Sequence, residues 1–346
     1  MDDLRTALNP TPICSVCIAN YNGGAMLRDC INSVLAQDCA NAFEIIVHDD
    51  ASSDNSVALL QTTYPHVRLL QSETNVGFCV ANNRMVAQAR GEFILLLNND
   101  AALFPDGLRT LIDAAHSRGA SSILTLPQYD WRSGELVDRG CLLDPFYNPV
   151  PNLNPTRTEV AMVIGACLFL QRSLWDELGG FPVWMESIAE DLYLCCIARL
   201  RGYSVIALRD SGYRHRRGAT FSGKRNDASK LVTTYRRRCL SERNKTATLF
   251  VCTPSSLMWP LLALHLFALL FEGITISLWR RDSRIFSGIY VAAATSVIEN
   301  FSALRAARKE IQYARHTKVK AYFAQFTCLP RKAALLARFG IPRIMS

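Results

Sequence analysis

The chain has 346 residues, 49% of them hydrophobic and 20% charged, and a formal net charge of +8 at pH 7. This length is enough for one large domain or two smaller ones with a sizeable core. Although the chain is basic, it carries no nucleic-acid-binding motif and no aromatic residues interleaved with its cations, so we predict no nucleic-acid partner. The cations gather instead between Arg305 and Arg343, where Glu310 is the only acid, a pattern typical of contact with an anionic membrane surface.

Short apolar strands alternate with helical segments in the first part of the chain. The pattern predicts strands at residues 13–19, 43–47, 67–71 and 93–97, and helices at residues 27–37, 57–64 and 80–89. This alternation indicates βαβ units and a parallel sheet with helices on both faces.

Polar residues follow three of the predicted strands directly. They are Asn20 and Tyr21, Asp49 and Asp50, and residues 98–100. The carboxyl ends of parallel strands meet at one edge of the sheet, where ligands bind in open α/β folds, so we expect Asp50 and Asp100 to contact a ligand. Acids that converge there repel one another unless a cation or a hydrogen-bond donor joins them. We interpret residues 52–54 (Ser-Ser-Asp) as caps of the next helix.

In their order and spacing, four segments resemble the family 2 glycosyltransferases, which are inverting enzymes with a GT-A fold. The segments read SVCIANYN (15–22), VHDDASSD (47–54), NVGFCVANN (75–83) and GEFILLLNND (91–100). Two positions depart from the family pattern, because Ala51 stands where glycine is common and Asn98 where an acid is common. The resemblance implies that Asp100 is the main protein ligand of a metal ion. It also implies that the nucleotide-sugar is bound by Ala19, Tyr21, Asp50, Asn75, Gly77, Asn82 and Asn99.

The second half of the resemblance concerns the acceptor. GACLF (165–169), LGGF (178–181) and EDLYLC (190–195) resemble the family's acceptor block, with Arg172 at its basic position. The resemblance carries over Glu190 and Asp191 as the catalytic acids, with Asp191 as the general base and Glu190 orienting the acceptor or tuning the pair. We assign Trp184, together with Glu190, to acceptor binding. Tyr193 stands where a second acid is often found.

A further segment, YRHRRGATFS (213–222), resembles the family element that reaches the metal or the diphosphate, with His215 at the position of its histidine. We expect Mn²⁺ or Mg²⁺ to neutralise the leaving diphosphate, and imidazole ligation favours Mn²⁺. The guanidinium groups of Arg214, Arg216 and Arg217 are candidates for further phosphate contacts. A carboxylate that accepts the proton of the acceptor hydroxyl is sufficient for a direct displacement, which inverts the anomeric configuration.

Twelve cysteines occur without metal-ligand or disulfide-framework spacing. Cys14 and Cys17 lie in one predicted strand and point to opposite faces, while Cys195 and Cys196 are adjacent. We therefore predict reduced thiols in a cytoplasmic domain, in agreement with a polar stretch at residues 1–12 that has no signal-peptide pattern.

Two apolar stretches, residues 257–278 and 285–304, follow the region of resemblance. The first is long enough to span a bilayer, but Pro260 and Glu272 interrupt it, and Glu299 interrupts the second. Three arrangements are consistent with this pattern: a transmembrane hairpin, a pair of interfacial helices, and a buried helical subdomain or dimer interface. We favour the interfacial helices.

The prediction is thus an α/β GT-A domain at residues 1–245, with a nucleotide-sugar half (12–100) and an acceptor half (101–245). Residues 246–346 form a helical membrane-association region. The predicted activity is inverting transfer from a UDP-, dTDP- or GDP-linked sugar to a glycan, lipid-linked in our interpretation, in surface polysaccharide synthesis at the cytoplasmic face of the inner membrane. Rhamnosyltransferases of O-antigen assembly are the most similar group.

Two other functions remain open. Asn98 and Tyr193 each replace an acid, which is compatible with a non-catalytic nucleotide-sugar-binding or scaffolding subunit. A nucleotidyltransferase requires a basic residue in the glycine-containing loop after the first strand, and residues 20–25 have none.

Overall fold

The computed structural model describes residues 11–39, 43–118, 121–216 and 232–345. Thirteen helices and fifteen strands are present in these ranges. The strands are β1 Cys14–Asn20, β2 Phe43–Asp49, β3 Arg68–Gln71, β4 Phe93–Leu97, β5 Ala101–Leu103, β6 Ser122–Thr125, β7 Gln128–Asp130, β8 Leu136–Asp138, β9 Cys141–Leu143, β10 Pro149–Pro151, β11 Cys167–Gln171, β12 Ser204–Ala207, β13 Tyr213–His215, β14 Val232–Thr234 and β15 Arg343–Met345. The helices are α1 Gly24–Leu35, α2 Ser56–Thr63, α3 Phe78–Gln88, α4 Gly107–Ser117, α5 Arg172–Leu178, α6 Glu190–Leu200, α7 Tyr235–Cys252, α8 Ser255–Arg280, α9 Ser283–Ile285, α10 Ala292–Glu299, α11 Phe301–Tyr313, α12 Val319–Tyr322 and α13 Arg331–Phe339.

The main sheet has seven strands in the order β12-β6-β11-β4-β1-β2-β3. The four strands predicted from the sequence are adjacent and parallel, with β1 between β4 and β2. Strand β11 then adds antiparallel to β4, which makes the sheet mixed where we predicted a parallel one. All the predicted helices are present, shifted by one to three residues at their ends.

The two faces of the sheet bury different side chains of the same strands. Along β1, Cys14, Val16 and Ile18 belong to one large core with residues of α1, α2 and α4. Cys17 points to the opposite face because side chains alternate along a strand, and α3 packs on β1 and β2. Both faces of the strands are therefore apolar, as the continuous hydrophobic run in β4 indicated.

A smaller four-stranded sheet has the order β5-β13-β7-β8. Strand β5 begins directly after Asp100, and in β13 His215 pairs with Ala101. The same histidine pairs with Asp130 of β7 on its other side. This sheet therefore fixes His215 beside the chain segment that carries Asp100.

The chain divides into two compact units that interleave in sequence. The first comprises Met1–Arg139, Val163–Glu186 and Ile206–Arg217, and the second comprises the remaining segments, including α6 to α13. Helix α7 runs without a break through residue 245, so the change from one unit to the other does not fall at that predicted boundary.

The second unit contains the apolar C-terminal region. Its first predicted stretch forms α8, a single helix of 26 residues. The second stretch comprises the end of α9, a π-helical turn at Phe286–Val291, α10, which ends at Glu299, and the start of α11. In the described part of the chain, Ser256–Arg280 is the one helix long and apolar enough to cross a membrane, with a mean hydropathy of 2.0. A transmembrane hairpin would need a second such helix.

All twelve cysteines are free thiols. Only Cys39, Cys239 and Cys328 are not buried. The predicted absence of disulfides is therefore found in the structure.

Candidate functional site: a donor and metal site, and a separate acidic pair

A hydrogen-bond network connects the ends of β1, β2 and β4 in the first unit. The amide of Asn20 donates to Asp49 Oδ2 at 2.9 Å, and the amide of Asn99 donates to Asn20 Oδ1 at 2.8 Å. Asn20, Asp49 and Asn99 are all buried. A Cβ atom at Gly23 would lie 2.1 Å from Asn20 Oδ1, so glycine is required for the chain to pass over this network. The expected convergence of strand ends is confirmed, and Asn20 and Asp49 form its centre.

The interpretation of residues 52–54 as helix caps is wrong for the two serines. The Ser52 hydroxyl accepts the N–H of Asn22 at 2.9 Å, and the N–H of Ser53 donates to Asn22 Oδ1 at 2.8 Å. Both serines thus hold the loop after β1, because that loop leaves backbone groups that need partners. Asp54 does bond the N–H of Ser56, the first residue of α2.

Asp50 connects the end of β2 with the start of α3. Its two carboxylate oxygens accept the N–H groups of Val76 at 2.7 Å and Gly77 at 3.0 Å, and Asn75 donates to its backbone carbonyl. Gly77 has φ +86°, a conformation that favours glycine. The structure thus brings Asp50, Asn75 and Gly77 together, and their contact with a nucleobase stays a prediction. Ala51, at the family's glycine position, adopts φ +62°.

The other predicted substrate contacts differ in exposure. Tyr21 is 45% exposed and Trp184, in a 3₁₀ turn at Val183–Met185, is 42% exposed. Ala19 is half-buried near the end of β1. Asn82 is buried, and its amide donates to the carbonyl of Phe78 one turn earlier in α3. Asn82 therefore stabilises its own helix, and a role in donor binding would fall to its carbonyl oxygen.

Asp100 and His215 face each other in a buried position. His215 Nε2 lies 3.1 Å from Asp100 Oδ1. On the other side of the ring, His215 Nδ1 lies 3.0 Å from Gln128 Oε1. Gln128 is oriented by its amide nitrogen, which donates to Asp138 at 3.1 Å, and its carbonyl also accepts the hydroxyl of Tyr213. The carbonyl oxygen can only accept, so Nδ1 carries the proton.

With Nδ1 bonded to Gln128, Nε2 of His215 is the ring nitrogen that faces the carboxylate oxygen of Asp100. Two lone-pair atoms at this distance repel unless a proton or a cation lies between them. In an octahedral Mg²⁺-type site with bonds of about 2.1 Å, adjacent ligand atoms are about 3.0 Å apart. The separation of 3.1 Å therefore fits a pair of cation ligands, and Gln128 supplies the outer hydrogen bond that typically orients a metal-binding histidine.

Two further observations define what this site lacks. No group of three His, Cys, Asp or Glu side chains suited to a metal is present among the described residues. Asn98 Oδ1 is buried without a hydrogen-bond partner in the described part of the chain. Asp100 and His215 thus fit a cation that takes its other ligands from phosphate oxygens and water.

The basic residues around His215 have separate surroundings. The guanidinium of Arg216 stacks on Trp131 at 3.7 Å from the ring centroid and pairs with Asp29, while Arg214 is exposed. The N–H of Arg216 also donates to the carbonyl of Asp100 at 3.0 Å. Of the three arginines predicted to contact phosphate, Arg216 is therefore fixed beside Asp100 and His215. Residues 217–222 lie outside the described residues.

Glu190 and Asp191 belong to the second unit, in the first turn of α6. Glu190 is buried, and Glu190 Oε2 has no hydrogen-bond partner among the described residues. Burial, followed by the charge of Asp191, raises the pKa of Glu190 to about 8, and Arg237 acts in the opposite direction. At neutral pH Glu190 is therefore protonated, which leaves Asp191 as the carboxylate able to accept a proton. Tyr193, at the family's acid position, is buried and 7% exposed.

The loop before α6 is strained, and sequence analysis missed the residue that holds it. Ile188 and Ala189 have φ of +70° and +71°, a region that costs a β-branched residue of order 1–3 kcal/mol. The amide of Asn244, buried in α7, donates to the carbonyls of Ser187 at 3.0 Å and Ile188 at 2.8 Å. Asn244 therefore fixes the chain that presents Glu190 and Asp191. No signal in the sequence singled out Asn244, because it stands in a run of mostly polar residues (235–246).

Comparison with known proteins agrees with the fold and the strand-end motifs. Residues 15–179 match the family model for glycosyl transferase family 2. The succinoglycan biosynthesis protein ExoO of Rhizobium meliloti is 35% identical over 115 residues, which are 33% of this chain and 33% of ExoO. The chain spans about a third or less of the length of three curated relatives that it matches.

Two solved structures share the fold. Staphylococcus aureus TarS 1–349 in complex with UDP-GlcNAc superposes with a TM-score of 0.54 at 20% identity, covering 90% of this chain and 89% of that one. GalNAc-T7 with UDP, GalNAc and Mn²⁺ superposes with a TM-score of 0.52 at 16% identity, covering 59% and 43%. The chain therefore has a GT-A fold, and its residues 15–179 are similar to the family 2 glycosyl transferases.

Proposed function

We propose that the protein is an inverting glycosyltransferase that moves a sugar from a nucleotide diphosphate donor to a glycan. The observation that carries the proposal is the buried pair formed by Asp100 Oδ1 and His215 Nε2, 3.1 Å apart. A divalent cation, when bound there, supplies positive charge to the leaving diphosphate, and imidazole ligation favours Mn²⁺. Arg216, fixed beside these ligands, is suited to contact a phosphate oxygen.

On the acceptor side, Asp191 accepts the proton of the attacking hydroxyl in the proposed reaction. The raised pKa of Glu190 supports this division of roles, because a neutral Glu190 donates a hydrogen bond while Asp191 stays ionised. The new glycosidic bond forms as the bond to the diphosphate breaks, and one carboxylate is sufficient for that displacement. The alternative function, a non-catalytic subunit, rested partly on Tyr193, which stands where the family often has an acid. It loses part of that support because Tyr193 is a core residue.

The donor and the acceptor are proposed by class. UDP-sugars come first, since the GT-A neighbours with UDP or UDP-GlcNAc share this fold, and dTDP- and GDP-sugars follow. The relationship to a succinoglycan biosynthesis protein supports a polysaccharide acceptor. A lipid-linked glycan at the cytoplasmic face of the membrane is supported by the apolar helix α8, which belongs to the same unit as Glu190 and Asp191.

The test is release of nucleoside diphosphate from a panel of UDP-, dTDP- and GDP-sugars with Mn²⁺, in the presence and absence of glycan acceptors. Asp100→Asn should abolish both metal-dependent donor binding and turnover. Asp191→Asn should abolish turnover and retain donor binding, and the exposed Asp113→Asn serves as the control. If no donor is turned over by the wild type, or if Asp191→Asn has wild-type activity, the proposed mechanism is wrong.

A further inference from the structure

Helix α8 has two faces of opposite character. Its only ionisable side chains before Arg280 are His265 and Glu272. His265 is buried, and burial lowers its pKa to about 3, so it is neutral. Glu272 pairs with Arg238 of α7 and Lys332 of α13. Both therefore lie on the face of α8 that packs on the protein.

The opposite face of α8 is exposed and apolar from Pro260 to Leu278, with the exposed Thr275 at its border. Phe267, Phe271 and Leu278 are 70%, 64% and 74% exposed. At 3.6 residues per turn these positions fall on one side of the helix, and Glu272 lies about 140° away from Phe267. The outer face of α8, as we call it, consists of Pro260, Ala263, Leu264, Phe267, Phe271, Ile274 and Leu278. With a rise of about 1.5 Å per residue, it extends over about 27 Å.

The inner face carries an ion-pair group that belongs in protein. Glu242, 1% exposed, contacts Arg238 at 3.1 Å, Lys245 at 3.0 Å and Lys332 at 2.8 Å. Because Glu272 joins the same cations, a bilayer around the whole of α8 would have to receive this charged group as well, and each charge at mid-membrane is expensive. The structure therefore favours contact with lipid along one side of α8.

A cavity of about 340 Å³ lies at the C-terminal end of α8. Arg280, Phe339, Ile341 and Arg343 line it, and a guanidinium nitrogen of Arg280 donates to the carbonyl of Pro342 at 3.0 Å. Two guanidinium groups beside two apolar side chains match the chemistry of a phosphodiester with an attached hydrocarbon chain. Trp279 directly precedes Arg280 in the chain and is 69% exposed. Tryptophan is enriched at membrane interfaces.

We propose that α8 docks on one leaflet of an anionic bilayer, with its outer face in the acyl boundary and a lipid phosphodiester between Arg280 and Arg343. The charge complementarity supports lipid over a second copy of this chain, because the apolar face ends in the exposed cations Arg280, Arg281 and Arg284. The inference deepens the proposed function, since it rests on an enzyme that works at a membrane surface. It names the face, the orientation and the headgroup chemistry of that contact.

The test is flotation of the full chain with vesicles of phosphatidylcholine alone or with phosphatidylglycerol. We expect the wild type to bind the anionic vesicles, and Phe267→Glu with Phe271→Glu to weaken that binding at least tenfold. Leu153→Glu, at an exposed leucine outside α8, is the matched control and should bind like the wild type. Arg280→Ala with Arg343→Ala should remove the preference for anionic over neutral vesicles.

Further measurements separate the sources and the failures. If the wild type binds millimolar inorganic phosphate through Arg280 and Arg343 but shows no preference for anionic over neutral vesicles, the site binds free phosphate and the lipid assignment is overturned. A concentration-dependent dimer that the phenylalanine variant dissociates, without vesicle binding by the wild type, would also overturn it. Circular dichroism melting confirms that the variants fold. Nucleoside diphosphate release by the same samples tests the proposed reaction separately, because that assay needs no vesicles.

Discussion

Glu190→Gln should stabilise the protein relative to the wild type, and this gain in stability should increase with pH. The glutamine keeps the shape of the side chain and removes the group that burial holds in its neutral form. In the native state Glu190 keeps its proton up to a pKa of about 8, whereas in the unfolded chain it titrates near the ordinary value of 4.5. Between these two values the native state binds one proton more than the unfolded state, so the free energy of unfolding falls with pH.

The magnitude follows from this proton. Linkage gives about 1.4 kcal/mol per pH unit at most, so from pH 5.5 to 7.5 the wild type loses up to about 3 kcal/mol through Glu190. The loss is absent below the unfolded pKa and complete above the native one. Because the charges of Asp191 and Arg237 act on Glu190 in opposite directions, we expect about 1–2 kcal/mol of this to be observed.

The assay is urea unfolding of both proteins at pH 5.5, 6.5, 7.5 and 8.5. The stability difference between Glu190→Gln and the wild type should grow with pH and level off above pH 8. Glu177→Gln changes an exposed carboxylate and should give a small difference without pH dependence. If the difference for Glu190→Gln is constant across this range, or if it decreases with pH, the carboxyl group is ionised in the folded protein and the assignment of roles to Glu190 and Asp191 is refuted.

Three other changes test the site. Gln128→Leu removes the hydrogen-bond acceptor that orients His215, so the affinity for Mn²⁺ should fall by about 10–100-fold while the fold is retained. The affinity is measured by calorimetry with the nucleoside diphosphate present, and an unchanged value would exclude His215 as a ligand. Asn244→Ala frees the strained loop before α6, so kcat should fall by about 10–100-fold with little change in the donor KM, and equal losses in both would instead indicate general misfolding. Gly77→Ala should lower the free energy of unfolding in urea by about 1–3 kcal/mol, because its φ of +86° disfavours any side chain. The control is Gly134→Ala: Gly134 also has a positive φ, but an added Cβ would meet no atom within 4 Å, so this variant measures the effect of backbone conformation without crowding.

The local rules of the sequence determined the first half of the main sheet. The apolar runs that become β1, β2, β3 and β4 are short and alternate with helical segments, so their positions and parallel direction followed from the sequence pattern. Asp50 and Asp100 were located for the same reason, because parallel strands present their carboxyl ends at one edge.

Only the tertiary structure decided which polar groups face one another. Gln128, Asp138 and Tyr213 lie far from Asp100 in sequence, yet pairing of β13 with β5 and β7 brings them to one histidine and fixes its tautomer. Glu272, read from the sequence as a charge in an apolar helix, proved to be paired with cations of α7 and α13. The reason is physical: periodicity reports the environment of a residue within its own element, whereas hydrogen-bond partners and burial depend on which elements pack together, and no local pattern encodes that choice.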